Sequence, residues 1–177
     1  MPKYIFKSKR LGFRKWQEYD LQPFAKMNKD TRVMEFFPKT LTKIESDNFV
    51  KKIEKHFEDF GYGLYAVDVL ADKKFIGFIG FMQPSFEAFF TPCIEIGWRI
   101  QHEFWGNGYA TEGALRCLKY GFEELNFKEI YSFTATINAK SENVMQKIGM
   151  TKIGAFEHPF LENLSLLKTH VLYKINS

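Results

Sequence analysis

Residues 95 to 112 read Glu-Ile-Gly-Trp-Arg-Ile-Gln-His-Glu-Phe-Trp-Gly-Asn-Gly-Tyr-Ala-Thr-Glu. No other stretch restricts the fold as much. An apolar strand runs into the tight loop Gly106-Asn107-Gly108, and a helical pattern starts directly behind it. This order aims several backbone N–H groups and a helix N-terminus at one point, a cradle for a phosphate. Two nucleotide motifs are excluded. No Gly-x-x-x-x-Gly-Lys-Ser/Thr run occurs, and Thr111 stands where a dinucleotide fingerprint needs its third glycine. Taken alone, the glycine pair also suits a plain structural turn, since glycine supplies positive φ.

The 177 residues are 45% hydrophobic and include 20 Phe, enough for one core, so a single domain over residues 1–177 is expected. The formal charge is +4. Its Lys and Arg are spread along the chain, which favours a solvated surface over a nucleic-acid face. Cys93 and Cys117 sit in apolar surroundings with no disulfide pattern. The first residues contain no apolar signal segment, and no uncharged run reaches the ~18 residues of a membrane span. The expectation is a cytoplasmic protein, monomeric or homodimeric, without metal, nucleic-acid or membrane partners.

Periodicity supplies the element order. Leu11 to Trp16 reads as a first strand and Glu18 to Asn28 as a short helix. Thr42-Lys43-Ile44-Glu45 is a capping box, and Phe49, Val50, Ile53, Phe57 and Phe60 follow at helical spacing up to Gly61. Leu64–Leu70 and Phe75–Met82 form a hairpin about Asp72-Lys73-Lys74. Gln83 to Pro92 is a loop, Ile94 to Ile100 a strand, and Ala110 to Leu125 a helix. Glu129–Ala135 is a strand, and Asn138 caps a helix through Ile148. Thr151–Phe156 and Val171–Ile175 close the sheet around a long loop, Glu157 to Lys168. The sum is a mixed α/β sheet, antiparallel early and parallel at the strand–loop–helix crossover.

Trp105-Gly106-Asn107-Gly108-Tyr109-Ala110 is followed by a helix, a strand, and Asn138-x-x-Ser141 running to Lys147-Ile148-Gly149-Met150. These paired motifs resemble the GNAT family of N-acetyltransferases, in the branch of the ribosomal-protein alanine and serine acetyltransferases. The resemblance covers Leu11 to Ile175 and is strongest from Ile94 to Met150. It implies a mostly antiparallel central sheet with splayed middle strands, flanked by helices: the acyl-CoA N-acyltransferase fold. It implies acetyl-CoA as cofactor, its pyrophosphate on the amides of Trp105, Gly106, Asn107, Gly108, Tyr109 and Ala110, with Thr111 at the helix start. Trp98, Arg99 and Ile100 would line the pantetheine, an N–H near Ile100 polarising the thioester carbonyl. Asn138, Ser141 and Asn143 would meet the cofactor from the second motif. Many family members carry Gln or Arg where Trp105 stands, so any contact there falls to the main chain.

The acceptor implied is a primary amine, on a protein N-terminus or a small molecule. Glu95, a carboxylate in an apolar run, is the candidate base; the structural alternative is a carboxylate pointing out of the sheet or paired with a basic residue. Many relatives place a proton-donating Tyr where this chain has Met145, so Ser141 is the candidate acid, against a plain helix-start role. His102 reads as a surface residue. His158 and His170 flank the late loop, and Phe86 to Phe90 serve either as core or as acceptor wall. A non-catalytic acyl-CoA-binding regulatory module and a nucleotide-binding protein stand as the competing functions.

Overall fold

The computed structural model describes residues 3–163 and 165–177. Eight strands form one sheet: β1 (Phe6–Lys7), β2 (Leu11–Arg14), β3 (Leu64–Val69), β4 (Lys74–Met82), β5 (Glu95–Ile100), β6 (Glu129–Ala135), β7 (Thr151–Glu157) and β8 (Thr169–Asn176), in spatial order β1-β2-β3-β4-β5-β6-β8-β7. Four helices cover it: α1 (Leu21–Lys29), α2 (Lys43–Phe60), α3 (Tyr109–Glu123) and α4 (Ala139–Lys147). Among the described residues the one parallel pairing is β5 with β6, at the crossover the sequence predicts.

Two elements differ from expectation. β1 pairs with β2 over only two residues, too short to leave a periodicity signal. The first long strand stops at Arg14 instead of Trp16. There the chain turns so that Asp20 returns to the Arg14 guanidinium at 2.6 Å, while Asp68 of β3 binds the same group at 2.6 and 2.7 Å. All three side chains are buried. The triad is a hydrogen-bonded ionic knot, and removing one member would strand a buried charge.

α2 begins at the expected Thr42–Glu45 capping box, with both reciprocal bonds formed. It packs with α1 on one face of the sheet, where Phe24 and Phe49 meet Phe78 with ring centroids 6.1 and 5.9 Å away. α3 lies on the other face. Its Gly113 permits close approach, because a Cβ there would sit 2.2 Å from Ile79 Cδ1. Most buried residues belong to one core around this sandwich. Phe86, Phe90, Tyr131 and Leu172 make a separate cluster.

The sheet opens in its middle. β4 and β5 stay paired from Met82↔Glu95 to Gly77↔Ile100. β6 and β8 are paired from Glu129↔Asn176 to Ala135↔His170. Between β5 and β6 the register holds at Glu95↔Tyr131 alone. Tyr131 N–H donates to the Ile94 carbonyl at 2.8 Å, Ser132 Oγ donates to the Ile96 carbonyl at 3.0 Å, and the strands then diverge.

Candidate active site

The divergence frees main-chain groups. Gln101 N–H donates to the Ile76 carbonyl of the β4 side at 2.8 Å. Strand alternation therefore turns the amides of Trp98 and Ile100 the other way, into the gap beside β6. The Ile100 carbonyl accepts from the Trp105 indole Nε1 at 2.8 Å, which folds the end of β5 back over the loop. Trp98 and Ile100 thus stand where a chain-like ligand could pair with a strand edge. Arg99 does not: its side chain lies on the opposite face, among α1 and α2 residues.

The loop is built to leave donors free. Gly106 and Gly108 have φ of +77° and +75°, the left-handed region. Among the described residues, the amides of Gly106 through Thr111 have no backbone partner; the first helical bond is Glu112 N–H to the Gly108 carbonyl at 3.0 Å. The Gly108 cap has no side chain to accept from these amides. Trp105 plays another part from the one the resemblance implies for its amide. That amide donates to His102 O at 3.1 Å, so main chain and indole both brace the loop. Asn107 likewise uses its side-chain amide on the carbonyls of Phe104 and Trp105, each at 3.1 Å. Its backbone N–H remains available.

Charges surround this cradle. Arg10, from the β1–β2 turn, lies against Gly108: a Cβ there would meet its Nη2 at 3.7 Å. Arg10 is fixed by Glu112, whose carboxylate accepts from its Nε at 2.6 Å and from its N–H at 2.8 Å. Lys140 Nζ stands 4.6 Å over the Trp105 ring. Alongside α3 runs an open groove of about 720 Å³ whose lining includes Ser8, Lys9, Thr111, Arg116, Lys119 and Lys147. Free amides, a helix N-terminus, a cationic groove and an open strand edge together suit a diphosphate carrying an extended arm. Arg10 and Lys140 went unseen in the sequence: Arg10 lies about a hundred residues before the loop, and nothing local to Lys140 shows that it folds over Trp105.

The second motif anchors α4. Asn138 Oδ1 accepts from the Ser141 N–H at 3.2 Å, and its Nδ2 donates to Thr134 Oγ1 at 2.9 Å and to Ser141 Oγ at 3.2 Å. Asn138 is thus the expected N-cap, with its amide occupied in tying α4 to β6. Ser141 Oγ accepts within this network, so its own hydrogen is free to donate. Asn143 is exposed on α4, and its side chain has no hydrogen-bond partner among the described residues. Met145 is buried in the core.

Glu95 sits where β5 and β6 touch. It is half-buried, and no hydrogen-bond or ionic partner is found for its carboxylate among the described residues. Burial pushes its carboxyl up to about 8. Beyond it lies the second aromatic cluster. Phe86 packs on Phe133, Phe156 and His158, with ring centroids 5.7, 6.0 and 4.8 Å away. His158 and His170 are 5.0 Å apart, and burial holds His170 down to about 4, so it is neutral at pH 7. Phe86 and Phe90 are buried while Phe89 is 75% exposed, so the segment is part core and part surface. Burial also raises the thiols of Cys93, to about 12, and Cys117, which leaves neither a ready nucleophile. No metal-binding cluster of His, Cys, Asp or Glu and no membrane-length apolar helix occurs among the described residues.

Known proteins resemble this chain in sequence and fold. The chain is 33% identical to the uncharacterized N-acetyltransferase YnaD of Bacillus subtilis, over 85% of this chain and 84% of that one. Over 70 residues it is 43% identical to the FsC-acetyl coenzyme A-N(2)-transacetylase of Aspergillus fumigatus, a match spanning only 30% of that longer protein. Among solved structures, a GNAT-family acetyltransferase from Bacillus anthracis superposes with a TM-score of 0.80 at 28% identity, over 96% of both chains. The spermidine N-acetyltransferase of Vibrio cholerae, solved with CoA and spermine, shares the fold at a TM-score of 0.75 and 23% identity, over 94% of this chain and 95% of that one. The acetyltransferase (GNAT) domain family matches residues 10–151, a span holding the parted strands, the glycine loop and the Asn138 cap. The chain therefore belongs to the GNAT acetyltransferases, and acetyl-CoA is its acetyl donor.

Proposed function

We propose that residues 1–177 form one N-acetyltransferase domain that moves the acetyl group of acetyl-CoA directly to a primary amine, on a small molecule or a protein N-terminus. The observation that carries this is the parting of β5 from β6 beyond Glu95↔Tyr131, with free amides at one end and an unpaired carboxylate at the other. The amides of Gly106 to Thr111 hold the diphosphate. Trp98 and Ile100 pair with the pantetheine arm, and the Ile100 N–H polarises the thioester carbonyl, worth ~3 kcal/mol of barrier by analogy with other such donors. Glu95 takes the proton that the amine must lose. The new N–C bond forms as the C–S bond breaks, and the Ser141 hydroxyl relays a solvent proton to the departing thiolate.

The raised carboxyl of Glu95 supports the base role, because an unpaired, desolvated carboxylate accepts a proton readily. The test is thiol release from acetyl-CoA across a panel of amines. Turnover with at least one amine, lost in Glu95→Gln, is the expected result. CoA binding without thiol release from any amine would favour a regulatory acyl-CoA-binding module, a reading that the buried Met145 in place of a Tyr donor keeps in view.

A further inference from the structure

Arg99 is an anomaly in this core. Its side chain is 9% exposed, yet no carboxylate lies within ion-pairing distance among the described residues. Nη1 donates to Asn28 Oδ1 at 2.7 Å, while the buried Nε has no partner. Aromatic faces enclose the rest: Phe37 at 4.2 Å, Phe78 at 5.4 Å and Phe49 at 5.6 Å from Cζ. These rings supply a cation with dispersion and quadrupole attraction but no neutralising charge. Contrast Arg14, buried more deeply still and matched by two carboxylates. A cation buried without a counter-ion is costly, and burial pulls the Arg99 guanidinium down to about 10.

Position gives this cost a use. Alternation places Glu95, Gly97 and Arg99 on one face of β5. A Cβ at Gly97 would meet only Glu95 Oε1, at 3.9 Å, so the strip between the two ionisable residues is bare. At ~3.3 Å per residue, their Cα atoms stand about 13 Å apart.

Resting on the transferase reading above, we propose that the acceptor is an aminocarboxylate: its amine meets Glu95, its chain crosses Gly97, and its carboxylate pairs with Arg99. The Arg99 guanidinium is then the residue that selects the acceptor. Polyamines, cationic at both ends, would place a second positive charge against Arg99 and are disfavoured.

The test compares three matched acceptors: 5-aminopentanoate, pentylamine and 1,5-diaminopentane. The wild type should favour 5-aminopentanoate by about tenfold or more in kcat/KM, the worth of one charge-assisted hydrogen bond. Arg99→Met should collapse that preference through KM, and Arg99→Lys should restore part of it. Melting temperature separates a structural role. Arg99→Met relieves an unpaired buried cation but leaves the buried Asn28 Oδ1 without its donor, so the two effects oppose and the melting temperature should change little. Equal use of the three acceptors, preference for the diamine, or an Arg99→Met protein that melts lower while keeping its discrimination would overturn the proposal. If no amine releases thiol, the transferase reading fails separately. Calorimetry on the CoA-bound protein then decides this one: 5-aminopentanoate must bind the wild type and not Arg99→Met, and equal binding or none would overturn it.

Discussion

The two sides of the parted strands are built from different materials. On the α3 side the site is main chain: six amides, two left-handed glycines and a helix terminus. On the α1–α2 side it is side chain: Glu95, Arg99, and rings drawn from β6, β7, β8 and the loop before β5. Main-chain recognition depends on backbone path, so a few residues within one segment specify it. Side-chain recognition depends on which distant segments meet. The first surface fits a ligand common to a whole family; the second can change its preference with single substitutions.

Replacing Glu95 should have the largest effect. Glu95→Gln is expected to lower kcat/KM by about 10²–10⁴-fold, the usual worth of a general base, with CoA affinity unchanged by calorimetry. The pH profile should report the same carboxyl. A base must be ionised, and this carboxyl titrates near 8, so kcat/KM should rise as pH rises through 8, and the limb should vanish in the variant. Stability should run the opposite way. The folded carboxyl titrates well above its free value of ~4.3, so folding favours the protonated form. Stability is then greatest below the free value and declines as pH climbs through 8. At pH 9, Glu95→Gln should melt higher than the wild type; a lower melting temperature would indicate a structural carboxylate.

The cofactor side should answer to backbone changes. Gly108→Ala places a Cβ on a φ of +75°, 3.7 Å from Arg10. The left-handed conformation then costs ~1–2 kcal/mol, and CoA should bind about tenfold more weakly while acceptor KM stays put. Should acceptor KM move instead, the division of the site into two surfaces is wrong. Arg10→Ala is a milder probe. The Arg10 side chain is 42% exposed, so CoA affinity should fall only about two- to fivefold, with most of the loss disappearing in high salt. Ser141→Ala should have the smallest effect, a kcat reduced about two- to fourfold, since solvent can protonate a thiolate unaided. An unchanged kcat would confine Ser141 to its hydrogen bonds with Asn138.

Legibility followed the same divide. Gly106 and Gly108 announced the cradle because only a left-handed turn before a helix demands that spacing. The Thr42–Glu45 box and the Asn138 cap were readable because each bonds within four residues of itself. Arg99 was misleading. Its place beside Ile100 suggested the cofactor, yet a one-residue step along a strand reverses the face, and its side chain turned toward α1. Trp105 looked like a departure from pattern, and the structure shows it bracing the loop through both nitrogens.

By itself, then, the sequence determined the order of elements, the glycine turn and the family, since all of these rest on contacts between near neighbours in the chain. Only tertiary structure decided that Arg10 joins the glycine loop, that β5 parts from β6 beyond Glu95, and that Arg99 is buried without an anion among the described residues. Those facts depend on burial and on charges brought together across sixty to a hundred residues, and local periodicity carries no record of either.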